Sequence, residues 1–122
     1  MSPERIFKFR AWHKQRRAMS PEFDLFTTDY AYLNDEWSFD SPDEYELMQF
    51  TGLVDRHGKE LYEGDIVRLG NALGAVRWHE ARAALSLRWA GAEPHPTELT
   101  ANLELAVVGN IYGNPDLLPD GA

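Results

Sequence analysis

The sequence predicts a mainly β protein whose carboxy-terminal part folds into a small barrel or sandwich. Two observations carry this expectation: short apolar runs follow one another at close spacing, and Gly-bearing turns separate them. No internal repeat is visible, and no flexible linker divides the chain.

Near the start, Phe7, Phe9 and Ala11 alternate with Lys8, Arg10 and Trp12, which is a strand signature. The polar, basic stretch 13–18 suits a hairpin turn before Met19. From Ser20 to Asp43 the pattern is irregular and rich in Asp, Ser and Thr. Phe23, Phe26, Tyr30, Tyr32, Trp37 and Phe39 nevertheless give it too much apolar mass for disorder, so an ordered excursion with short strands is expected. Ser41-Pro42-Asp43-Glu44 has the form of a helix start, with Ser as cap and Pro in the first turn. Against that, Tyr45, Leu47 and Gln49 alternate with Glu46, Met48 and Phe50 as far as Thr51-Gly52, and the reading is a strand preceded by a turn.

Asp55-Arg56-His57-Gly58-Lys59 reads as a polar turn, with Gly58 free to take a positive φ, between Leu53-Val54 and Glu60-Leu61-Tyr62. Glu63-Gly64-Asp65 makes a second turn and launches the strand Ile66-Val67-Arg68-Leu69. Residues 70–74 read as a loop, and 75–78 and 84–89 as strands joined by a turn over 79–83. Pro94 and Pro96 impose a loop on 91–97, with a short helical turn at 98–103. Residues 105–112 form a last strand, apolar enough to be buried on both faces. Asn114-Pro115-Asp116-Leu117-Leu118 fits a single helical turn with Asn114 as its cap. The expected division is an amino-terminal β-rich region over 1–59, holding an acidic excursion at 20–46, and a barrel region over 60–122.

With 122 residues, 43% of them apolar, the chain matches one ordinary domain that buries roughly two-thirds of its unfolded surface. Cysteine is absent, which excludes a disulfide framework, a thiolate zinc site and a nucleophilic thiol. No apolar run approaches the ~20 residues of a membrane span. Lys8, Arg10 and Lys14 interrupt the amino-terminal apolar positions, so no signal peptide is expected and the cytoplasm is the expected compartment. The net charge of -8 is unevenly spread, with +5 over 1–21, -9 over 22–46 and -4 over the remainder. The plain reading of the acidic block is a solvated surface. A sharper one has the basic arm and the acidic block attracting each other, within a chain or between identical chains.

Three blocks carry a family resemblance. They are Phe7-Lys8-Phe9-Arg10-Ala11-Trp12; the stretch from Tyr45-Glu46-Leu47-Met48 through Gly58-Lys59-Glu60-Leu61-Tyr62-Glu63-Gly64-Asp65-Ile66-Val67; and Val107-Val108-Gly109-Asn110-Ile111-Tyr112-Gly113-Asn114-Pro115-Asp116-Leu117-Leu118. In this order they resemble the YopX family, small proteins of bacteriophages and prophages. The resemblance implies a mostly β protein with an SH3-like barrel in its carboxy-terminal part, a tendency to form homo-oligomers, and no established activity. The acidic 20–44 excursion and the Ala-rich 81–85 stretch depart from the family pattern.

Catalytic and ligand motifs fare poorly. Gly58-Lys59 is followed by Glu60 and lacks the upstream Gly of a phosphate-cradling loop. His13, His57, His79 and His95 lie far apart, each in a predicted turn or loop, and read as surface residues without metal-ligand spacing. Asp35-Glu36, Asp43-Glu44 and Asp65 are candidates for acid–base work, yet a crowded exposed stretch supplies neither burial nor contrast between carboxyls. No catalytic residue, cofactor or metal site is assigned. Gly52, Gly58, Gly64, Asp65, Gly109 and Asn114 are read as turn-forming residues. Trp78, Trp89 and Tyr112 are candidates for an aromatic recognition surface, with core packing the stronger expectation for them. Asp35, Glu36, Asp43 and Glu44 are candidates for an acidic one.

The expected function is a non-catalytic binding or self-assembly module, a phage or prophage accessory protein meeting a host or phage protein. Two alternatives stand beside it. One is a nucleic-acid-binding barrel using the basic 5–17 arm, which the net charge disfavours. The other is an acidic mimic of a polyanion, built on Asp35, Glu36, Asp40, Asp43 and Glu44.

Overall fold

The computed structural model describes residues 8–24, 45–90, 97–101 and 103–118. The candidates Asp35, Glu36, Asp40, Asp43 and Glu44, the bulk of the excursion and His95 lie outside these residues. The chain divides into two compact units, Met1–Phe50 and Thr51–Ala122. The division falls inside one strand, so the 55–59 turn and the strand after it belong with the second unit.

In the first unit, β1 (Lys8–His13) has β4 (Tyr45–Val54) along one edge and the short β2 (Ala18–Met19) and β3 (Phe23–Asp24) along the other, all antiparallel. The alternation read at 45–50 is therefore that of a strand. Trp12, Met48 and Phe50 are buried, in keeping with their shared parity across the Arg10–Met48 register. Basic side chains border this apolar face: Arg10 lies 3.7 Å from the Met48 sulfur, and the Lys8 ammonium stands 4.9 Å from the centroid of the Phe50 ring. Lys8 also reaches Glu22 at 3.8 Å and Lys14 reaches Glu46 at 3.0 Å. The first and last acids of the acidic block thus pair with lysines of β1 and of the turn after it, within one chain.

In the second unit, β4 runs on to Val54 and pairs with β5 (Glu60–Tyr62). A five-stranded antiparallel sheet follows in the order β10-β6-β7-β8-β9, built from β6 (Asp65–Leu69), β7 (Ala72–His79), β8 (Ala84–Trp89), β9 (Thr97–Glu98) and β10 (Ala106–Asn110). A meander whose last strand returns beside its first is the SH3-like arrangement, and the sheet curls into a half-barrel. The main core lies on its inner face, where Val67, Val76 and Leu87 pack with Leu61 of β5 and Leu105 ahead of β10, all almost wholly buried. The outer face carries a second cluster, in which Leu117 and Leu118 cover Ile66 and Ala75. Tail and core together bury β6 on both faces, which explains its unbroken apolar pair Ile66-Val67.

Four local readings are corrected. The loop expected at 70–74 is a two-residue Gly70-Asn71 turn, Gly70 at φ 59°, and β7 begins at Ala72. The helical turn expected at 98–103 is instead led by β9, with Leu103 N–H donating to the Thr100 carbonyl at 3.5 Å. The last strand is shorter than 105–112 and is not buried on both faces: a bulge between Val107 and Gly109 breaks the alternation and leaves Val108 36% exposed. The short 3-10 turn Pro115–Leu117 has Pro in its first turn, but Asn114 makes no side-chain cap to it.

Two hairpin tips repeat one device. β1 ends at His13 and β7 at His79; in each, imidazole Nδ1 accepts the N–H of the third residue on, Arg16 at 3.1 Å and Arg82 at 3.2 Å. The fourth residue on is left-handed, Arg17 at φ 51° and Ala83 at φ 52°, and the next strand opens with alanine. His13 is buried against the Tyr45 ring rather than solvated, because the strand end folds its imidazole back over the turn. A left-handed non-Gly residue is strained by about 1–2 kcal/mol, part of which Gly forfeits through its freer unfolded state. Ala83→Gly is therefore expected to stabilise the protein by about 0.5 kcal/mol in a urea melt, whereas a loss would mean the Ala83 methyl is needed for packing.

Candidate functional site

Three polar clusters stand out in the second unit, and each is built from groups the sequence reading placed in turns. The first centres on Asp55, which is 6% exposed. Its Oδ1 accepts the N–H groups of His57 at 2.8 Å and Lys59 at 2.9 Å, closing the turn in which Gly58 sits at φ 83°. Its Oδ2 accepts the N–H of Val107 at 3.0 Å, and Arg56 N–H donates to the Leu105 carbonyl at 2.7 Å, so the turn is fastened to the start of β10. Burial works against charge on Asp55. The N–H groups of Val107, Lys59 and His57, with a smaller pull from the His57 imidazole, outweigh it and hold the carboxyl below the ordinary aspartate range.

The second cluster is the turn before β6. Gly64 is at φ 90°, and the buried Asp65 carboxylate accepts the N–H of Tyr62 at 2.8 Å. Gly64 N–H donates to the Val76 carbonyl and its own carbonyl accepts from Ile111, tying the turn to β7 and to the segment after β10. The third cluster joins Asn110 and Asn114. Asn110 Oδ1 accepts from Tyr112 and Gly113 at 3.0 and 2.7 Å, while Asn114 Oδ1 accepts from Asn110 N–H at 3.2 Å. Gly109 lies against this clasp, where a Cβ would stand 2.6 Å from Asn114 Oδ1. Asn114 thus acts on the strand behind it and not on the 3-10 turn ahead.

Among the aromatic candidates, Trp89 packs against the inner core and donates its indole N–H to Thr97 Oγ1 at 2.6 Å. Tyr112 is half-buried in the Asn110 turn. Trp78 departs from the core expectation: it is 53% exposed, directly across from Leu85 at the outer end of the cross-strand ladder Gly74/Trp89, Val76/Leu87, Trp78/Leu85. The core ends before the ladder does. Gly52, at φ 89°, has open space around it. No three His, Asp or Glu side chains gather around one point among the described residues. Nor is any helix among them long and apolar enough to cross a membrane. Asp55 was missed by sequence reasoning as a long-range anchor. An Asp two residues ahead of His57-Gly58 signals the local turn, but nothing in the sequence signals Val107.

Fold and clusters define a small antiparallel β module whose buried carboxylates and half-buried carboxamides fasten its own turns. The chain matches the YopX protein family over residues 8–119, nearly its whole length, and belongs to that family. It is similar in fold to protein EF1440 from Enterococcus faecalis, whose crystal structure superposes with a TM-score of 0.59 at 22% sequence identity, covering 94% of this chain and 99% of that one. A search of curated proteins finds no match.

Proposed function

We propose that this chain is a phage or prophage accessory protein of the bacterial cytoplasm, acting by self-assembly and by binding a host or phage protein rather than by catalysis. One observation carries the reading: Trp78, the large aromatic at the end of the inner-face ladder, is spent on neither the core nor a turn. The buried Asp55 and Asp65 and the half-buried Asn110 and Asn114 support it as well, since their oxygens accept backbone N–H groups. Exposed aromatics with an apolar neighbour are typical anchors of protein interfaces.

Trp78→Ser is expected to leave the thermal midpoint of the monomer nearly unchanged, within about 0.5 kcal/mol, because exposed substitutions cost little. Static light scattering should then show the parent as an oligomer and the variant shifted toward monomer. A parent that stays strictly monomeric at high concentration removes the self-assembly half of the reading. An oligomer indifferent to Trp78→Ser moves the interface elsewhere.

A further inference from the structure

We infer that Arg77, Ser86 and Arg88 form a phosphate-binding site on the outer face of the β7–β8 hairpin. Cross-strand register places them together: Arg77 is directly opposite Ser86, and Arg88 follows Ser86 by two positions on the same strand, so all three share one face. Arg77 and Arg88 are then diagonal neighbours, with Cβ atoms about 7–8 Å apart or slightly less, within easy reach of a common ligand for side chains of this length.

Their charge is unmet. The chain carries 20 acidic residues against 12 Lys and Arg, yet neither guanidinium makes an ion pair among the described residues. Glu98 lies opposite Ser86 on the β9 side, and no ion pair among the described residues joins it to either arginine. Like charges adjacent on a sheet face are unfavourable by themselves. Between them Ser86 is 5% exposed, and its hydroxyl has no hydrogen bond among the described residues. The hydroxyl oxygen is not sealed in the interior: it reaches solvent on the face that holds both cations, where it can donate to a ligand.

Two guanidinium forks and one hydroxyl donor suit a tetrahedral oxyanion better than a carboxylate. A carboxylate's two oxygens are satisfied by one fork, while a phosphate offers further oxygens to the second fork and to the serine. The ligand is therefore a phosphate group, free or borne on a nucleic-acid backbone. The site goes beyond the assembly reading and is independent of it, because a strictly monomeric chain would still present this face.

The test is an NMR titration of the intact protein following the arginine side-chain Nε–H signals and the Ser86 amide, with inorganic phosphate at constant ionic strength and acetate as comparison. Saturable shifts confined to Arg77, Arg88 and Ser86 are expected with phosphate. Arg77→Gln/Arg88→Gln should weaken binding at least about tenfold, the scale of losing one charge-assisted hydrogen bond, and Ser86→Ala by a smaller factor. Arg56→Gln and Arg82→Gln should change nothing. A nucleoside monophosphate and a short single-stranded oligonucleotide distinguish the sources. Tighter binding of the oligonucleotide with a steep salt dependence assigns a nucleic-acid backbone, and equal binding of both assigns a free phosphate group. No saturable shift, equal shifts with acetate, or equal losses in the Arg56 and Arg82 variants overturn the site.

Discussion

Asp55→Ala is expected to destabilise the protein by about 3 kcal/mol, lowering the thermal midpoint by roughly 10 °C. The substitution removes one carboxylate and orphans the N–H groups of His57, Lys59 and Val107 together. Its effect should be felt at both ends of the 52-residue separation between Asp55 and Val107, as faster amide exchange in the 55–59 turn and at the start of β10. Asp55→Asn keeps one acceptor oxygen and should cost less.

The same carboxylate makes stability depend on acid. Unfolded aspartate titrates near about 3.9 and the folded Asp55 below that, so its contribution is complete above roughly pH 4 and disappears as the pH falls through the folded value. Denaturant melts at neutral pH and at successively lower pH should therefore show a steeper acid loss in the parent than in Asp55→Asn. Parallel curves for the two proteins would assign the acid loss to other carboxylates.

Gly74→Ala is the second large expected effect, a loss of about 2 kcal/mol, in the range of overpacked core sites. A Cβ at Gly74 would stand 2.8 Å from Trp89 Cε3 and 3.0 Å from the Arg88 carbonyl oxygen. The ring lies across the glycine from the opposite strand, and the indole is held there by its hydrogen bond to Thr97. Neither neighbour moves cheaply. Combining Gly74→Ala with Trp89→Leu should recover part of the loss relative to the sum of the single changes, as measured in a double-mutant cycle. Strict additivity would place the strain on the Arg88 carbonyl alone.

These two sites also mark where the sequence stopped being readable. The β class, the strand at 45–50, the Gly64-Asp65 turn and the meander after it were legible, because period-two alternation and turn residues are local signals. Gly74 misled in the opposite sense: a second glycine four residues after Gly70 reads as loop, when it is in fact the strand position that accommodates Trp89. Val108 was assigned to a buried strand because alternation assumes an unbroken ladder, and the bulge after Val107 is set by its pairing with β6. Asp55 was legible as a turn former but not as an anchor, and Arg77, Ser86 and Arg88 become neighbours only once β7 and β8 are in register.

The tips after His13 and His79 are built on one plan, though their backbone closures differ, Arg17 N–H donating to the His13 carbonyl and Ala83 N–H to the Glu80 carbonyl. Both share the imidazole acceptor, the left-handed fourth residue and the following alanine, so exchanging Lys-Gln-Arg-Arg for Glu-Ala-Arg-Ala is expected to keep the turn while removing the Lys14–Glu46 pair and the Arg17 contact with the Trp12 ring. Evolution, or an engineer, can thus recolour the electrostatics of the amino-terminal unit from strongly cationic to neutral at that corner while the scaffold beneath stays the same.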